Sequence, residues 1–161
     1  MSDPSTFHTA LANGTATGQL MADLALLLGA GDVITLTGDP DYTTDLARYL
    51  VGELAVVPWA RDLRIDCVGV CPELTALNPA RVHHHETGVV ADTVAAAVKV
   101  HDRLTAASID HLEDARLAQA DDRLWGSRIL ITTPEAADLA VLTDLITKQP
   151  GRTATSVLIV G

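Results

Sequence analysis

The sequence predicts an α/β protein: a three-layer, mostly parallel sheet with helices on both faces. Short β-branched runs alternate along the chain with segments of helical period. Two strand exits carry residues that start helices, Asp39-Pro40 and Thr133-Pro134. The closing run Val157-Leu-Ile-Val160 has no polar interruption, the pattern of a strand buried on both faces.

Taken in order, Met1 to Gly18 is rich in Ser, Thr, Ala and Gly and reads as a lead-in. Residues 19–161 read as one α/β domain, with a short strand near Gln19 to Asp23. Asp32 to Gly38 is a β-branched run closed by glycine, a strand. Asp39-Pro-Asp41 turns the chain, and Pro40 or Asp41 starts a helix. Leu46, Ala47, Leu50 and Leu54 give that helix its period to about Val56, and Pro58 stops it. Leu63 to Val70 is the second strand. Its alternation puts Arg64 and Asp66 on one side and Leu63, Ile65 and Cys67 on the other, which suits a sheet edge. Pro72 to Leu77 is short enough for a single helical turn, and Arg81 to Glu86 is open between loop and strand. From Val89 to Leu124 there is no Gly or Pro, and apolar residues recur at three- and four-residue steps. This predicts one long helix, bent or broken near Ser108. Ser127 to Thr132 is the third strand, a helix runs from Thr133-Pro134 to about Lys148, and Ala154 to Val160 is the last strand. A buried strand at the extreme C-terminus predicts that the chain is a segment of a longer protein.

Composition narrows the function. The chain of 161 residues carries 11 Lys+Arg against 21 Asp+Glu, a net charge of −10. Such a chain without a basic stripe is a poor partner for nucleic-acid phosphates or an anionic membrane surface. Aromatics at 3% give little to stack bases on. Cys67 and Cys71 make no disulfide framework and read as small buried hydrophobes. Met1 to His8 lack the pattern of a signal peptide, and no uncharged apolar run reaches the ~18 residues of a membrane span. The expected location is cytoplasmic, either free or as the cytoplasmic part of a membrane-anchored protein.

In a βα unit, phosphates bind at the helix N-terminus after the strand. Laid on the phosphate-loop pattern G-x-x-x-x-G-K-S/T, Gly38 takes the first Gly, Thr43 the second, Thr44 the Lys and Asp45 the Ser/Thr. The lysine is missing. Asp39, Asp41 and Asp45 crowd the turn and would each repel a phosphate by about 1 kcal/mol or more. The third strand ends in Thr132 and Thr133, where a related enzyme would hold its metal with an acid. The positions Gly38, Asp39, Asp41, Thr43, Thr44 and Asp45 therefore read as a vestigial phosphate loop, with no cofactor and no catalytic residue. His83-His84-His85 cannot all ligate one ion from a strand, since neighbours point to opposite faces. His83 and His85 could, with Glu86 or Cys71; a solvated histidine run is the plainer reading. His101 and His111 read as helix-face residues, Asp121-Asp122 as a solvated turn, and Trp59 and Trp125 as packing at element boundaries.

Together, Leu36-Thr-Gly-Asp-Pro40, Leu46 to Leu54 (LARYLVGEL), Pro58-Trp-Ala-Arg-Asp-Leu63, Val68-Gly-Val70, Glu73-Leu74, Leu77, Pro79, Arg81-Val-His83 and Val157 to Gly161 resemble one region of large actinobacterial proteins. Those proteins are described by LysM or bacterial transcriptional activator domains elsewhere in the chain. The likeness spans roughly Leu20 to Gly161 through many weak positions. That region in turn is similar to a degenerate FtsK/SpoIIIE-type motor ATPase domain, as also found in type VII secretion. The resemblance implies a RecA-like P-loop fold with the last strand between the first strand and Ser127 to Thr132, and Leu63 to Val70 at one edge. Finding Leu63 to Val70 flanked on both sides would overturn that order. The catalytic residues do not carry over, because their positions hold Thr44, Asp45 and Thr132. The implied role is a non-catalytic, NTPase-like scaffold whose partners are proteins or flanking domains of the same polypeptide. The alternative is a small-ligand or divalent-cation binding domain, or enzyme, using Asp39, Asp41, Asp45 and Asp92 at the C-terminal edge of the sheet.

Overall fold

The computed structural model describes residues 31–58, 62–118 and 125–161. The expected strand near Gln19 to Asp23, Trp59 and Asp121-Asp122 lie outside the described residues.

Among the described residues, five strands form one parallel sheet: β1 (Val33–Leu36), β2 (Arg64–Val68), β3 (Val82–His85), β4 (Arg128–Thr132) and β5 (Thr155–Val160). Their spatial order is β1-β5-β4-β2-β3. The helices are α1 (Pro40–Val56), α2 (Val89–Ala106), α3 (Leu112–Ala118) and α4 (Leu139–Lys148), with a 3-10 helix at Pro72–Ala76. Alternating strand residues serve two layers. Ile65, Cys67, Ile129, Ile131, Leu158 and Val160 pack with Ala47, Leu50, Val51 and Leu54 of α1. Val68, Leu130 and Val157 pack with Val89, Val90 and Ala97 of α2 and Leu139, Leu142 and Ile146 of α4. A smaller cluster joins Leu104 of α2 to Leu112 and Ala115 of α3 and to Trp125, which is buried.

β5 lies between β1 and β4, as the resemblance implies. The edge placement of Leu63 to Val70 is overturned: β2 pairs with β4 on one side and β3 on the other. The open segment Arg81 to Glu86 supplies that outer strand. Charges on one face of β2 misled because Asp66 is fully buried yet partnered by Arg64 of β2 itself and by His85 and Arg128 of the strands on either side.

The long helix expected over Val89 to Leu124 breaks into α2 and α3. Ser108 adopts φ 57° directly after the helix end. Ser108 N–H donates to Thr105 O at 3.1 Å and Ile109 N–H to Leu104 O at 2.9 Å, the paired bonds of a Schellman cap. Ile109 packs back on the Leu104 cluster. Arg152 then fixes the linker, donating to Ile109 O, Asp110 O and Thr105 Oγ1. The last helix also differs from expectation. It starts at Leu139 rather than Thr133-Pro134, because Asp138 at φ 64° interrupts helical geometry. Two turns, Ala136 N–H to Thr133 O and Leu139 N–H to Ala136 O, fill the gap. α1 ends where Val57, ahead of Pro58, turns extended at φ −60°, ψ 126°. Its last carbonyls are closed from afar: Arg81 donates to Leu54 O and Val57 O, and Asn78 to Ala55 O.

Ser108 occupies a left-handed position that glycine fills without steric cost. Ser108→Gly is expected to stabilise the fold by up to about 1 kcal/mol, raising Tm by roughly 2–4 °C. A thermal melt showing an unchanged or lower Tm would refute this account of the break.

Candidate functional site

The turn between β1 and α1 is only Thr37-Gly38-Asp39, because α1 begins at Pro40. Gly38 has φ 142°, a conformation that side-chain-bearing residues rarely adopt, and open space where a Cβ would stand. Asp39 is the N-cap: its carboxylate accepts from Asp41 N–H at 3.0 Å. Proline at the first helical position brings no N–H. The N-terminus of α1 thus already faces an anion of its own, where a ligand phosphate would otherwise meet the helix dipole. Thr43 is buried and its hydroxyl donates to Pro40 O at 3.2 Å. Thr44, at the lysine position, is half-buried within α1. Asp45 accepts from Arg48 at 2.8 Å, and Arg48 reaches Glu73 at 2.7 Å. The hydrogen bonds that Arg48 donates to Glu73 and Asp45 raise its pKa. Thr132, at the end of β4, is fully buried and its hydroxyl points to Thr133 O at 3.4 Å.

Asp92 does not join Asp39, Asp41 and Asp45. It sits in the first turn of α2, across the sheet from α1, and its charge acts on Arg64 and Arg128. Two cavities, about 250 and 320 Å³, open at the N-terminal ends of the strands. The first is lined by Asp62, Arg64 and Arg128, the second by His111, Glu113 and Arg116. None of the four acids expected to hold a ligand at the C-terminal edge lines either one.

The polar centre of the molecule is a site that the sequence reading missed. Asp66, at mid-β2, has no exposed surface. Arg64 Nε donates to its Oδ2 at 2.9 Å and Nη2 to Oδ1 at 3.0 Å. His85 Nε2 stands 2.8 Å from Oδ1, and Arg128 Nε 3.5 Å from Oδ2. Arg64 and Arg128 are register partners on β2 and β4, two like charges side by side that Asp66 offsets. Burial by itself pushes the Asp66 carboxyl up. The hydrogen bonds from Arg64 and His85 and the charges of Arg64 and Arg128 outweigh it and hold the carboxyl below its usual range. Burial lowers the Arg128 pKa against the pull of Asp66. The signal that could have found this cluster was an acid two residues after an Arg, with a second Arg opening another strand. Only the register brings them together.

Of the histidine run, His83 and His85 share the face of Asp66, and His84 lies on the other with Cys67. Cys71 packs in the α1 cluster, away from His83 and His85. Among the described residues no group of three His, Cys, Asp or Glu side chains is placed to hold a metal. Both cysteines are free and buried, and burial pushes the thiols to about 12 for Cys67 and about 11 for Cys71. They are therefore protonated and inert. No helix among the described residues is long and apolar enough to cross a membrane.

Fold and site define a parallel three-layer α/β protein with a buried ion cluster in the sheet and a self-capped turn after β1. Compared with known proteins, the chain matches no family model and no curated protein.

Asp66→Asn leaves two guanidinium groups without their carboxylate, and is expected to cost about 3 kcal/mol. Because the folded carboxyl lies below its unfolded value, its contribution is full above the unfolded pKa near ~4. It is lost as pH falls through the lower folded value. Urea unfolding of wild type and Asp66→Asn should differ at pH 7, and the gap should begin to narrow only as pH falls below about 4. A gap that stays constant with pH would show that the charge is not its source.

Proposed function

We propose that this chain is a non-catalytic, NTPase-like scaffold or interaction domain of a larger protein. The observation that carries the proposal is the β1–α1 turn: three residues long, capped by the Asp39 carboxylate, with Thr44 where a phosphate loop has lysine. A helix N-terminus already meeting a carboxylate offers little to a triphosphate. Thr132 likewise gives a divalent metal no carboxylate. The placement of β5 between β1 and β4 agrees with the degenerate FtsK/SpoIIIE-like ancestry that the sequence resembles. The interior position of β2 counts against the full strand order of that ancestry, so the proposal rests on the β1-β5-β4 half of the sheet and on the turn. Its partners are proteins or flanking domains of the same polypeptide, and no cofactor is required.

Thermal melts with millimolar Mg·ATP and Mg·ADP test the proposal. No rise in Tm and no phosphate release are expected; a nucleotide-dependent rise would refute it.

A further inference from the structure

The solvent side of α1 carries an apolar stripe. Tyr42, Tyr49 and Val56 stand seven residues apart, so each step turns only about 20° and the three lie nearly in line. They are 77%, 54% and 63% exposed, opposite the face that buries Ala47, Leu50, Val51 and Leu54. At 1.5 Å per residue the line is about 21 Å long. Leu77, also exposed, flanks it. A Cβ on Gly52 would stand 4.0 Å from Leu77 Cδ1, so Leu77 lies close to the helix there and walls one side of the stripe. The Arg48–Glu73 ion pair ties the 3-10 helix to α1 and steadies that wall. Other exposed large apolar residues, Val98, Leu117 and Val141, stand singly on α2, α3 and α4, which is ordinary for a protein surface.

Charge selects the occupant. Asp41, Asp45, Glu53 and Glu73 are all exposed around the stripe, and Arg48 among them is already paired with Asp45 and Glu73. A second copy would bring the same acids and another net charge of −10. We propose that this face of α1 docks a basic amphipathic helix of a partner protein. Its apolar side lies along Tyr42, Tyr49, Val56 and Leu77, and its Lys or Arg flanks meet the surrounding acids. The inference rests on the interaction-domain reading and names the kind of partner that reading requires.

The probe is a synthetic helical peptide of about 18 residues, long enough to span the stripe, with Leu on one face and Lys on both flanks. A control peptide replaces every Lys with Glu. Fluorescence anisotropy should show the Lys peptide binding the full chain and the Glu peptide not. Tyr49→Ser and Val56→Ser, exposed positions whose fold is checked by an unchanged Tm, should each weaken binding about tenfold. Glu53→Lys should weaken it and flatten its salt dependence. Binding of neither peptide, equal binding of both, or binding indifferent to Tyr49→Ser and Val56→Ser would overturn the proposal. So would a dimer in sedimentation that Tyr49→Ser dissolves, which makes the occupant a second copy. Nucleotide stabilisation would refute the scaffold reading without changing the peptide titration, so the two failures are distinguishable.

Discussion

Asp66 is the constraint on which the sheet depends. A fully buried carboxylate at mid-β2 tolerates only an arrangement that brings partners to it: Arg64 of β2 itself, His85 of β3 and Arg128 of β4. A slip of β3 or β4 by one residue would turn His85 or Arg128 to the other face and strip Asp66 of that partner, leaving Arg64 to meet it with less support. The ion cluster therefore selects the register of the three strands that hydrophobic contacts alone would fix less sharply. It also permits a charged residue on an interior strand, flanked on both sides.

The chain's preference for Arg over Lys, nine against two, has the same logic. Arg64 and Arg128 meet Asp66. Arg81 closes the carbonyl end of α1, Arg152 holds the break between α2 and α3, and Arg116 donates to Trp125 O and Ser127 Oγ. A planar guanidinium with five donors can satisfy several carbonyls at once, which an ammonium on a flexible stem does less well. Loops that would otherwise leave carbonyls unsatisfied are pinned by residues distant in sequence.

Acidity organises the surface in a complementary way. At the start of α1 it replaces what an anionic ligand would bring, since Asp39 occupies the cap and Asp45 is held by Arg48. Along the outer side of α1 it frames an apolar line instead of a polar face. The same helix thus carries its own anion at one end and an exposed apolar line along its length.

The sequence by itself determined the α/β class, four of the five strands, and α1 from Pro40 to Val56. Local period, β-branching and proline chemistry act within a few residues of where they are written. It also places Thr44 where the phosphate-loop pattern, laid on Gly38, would have lysine, because that follows from identity alone. Only the tertiary structure decided that β2 is interior, that Arg81 to Glu86 yields the outer strand β3, and how the break that the sequence places near Ser108 is held. Each of these turns on groups far apart in the chain: Asp66 needs Arg128 and His85, and the linker after Ser108 needs Arg152. Pattern along the chain carries no information about which distant side chain will neutralise a buried charge, so Asp66 looked like the mark of an edge until its partners were in place.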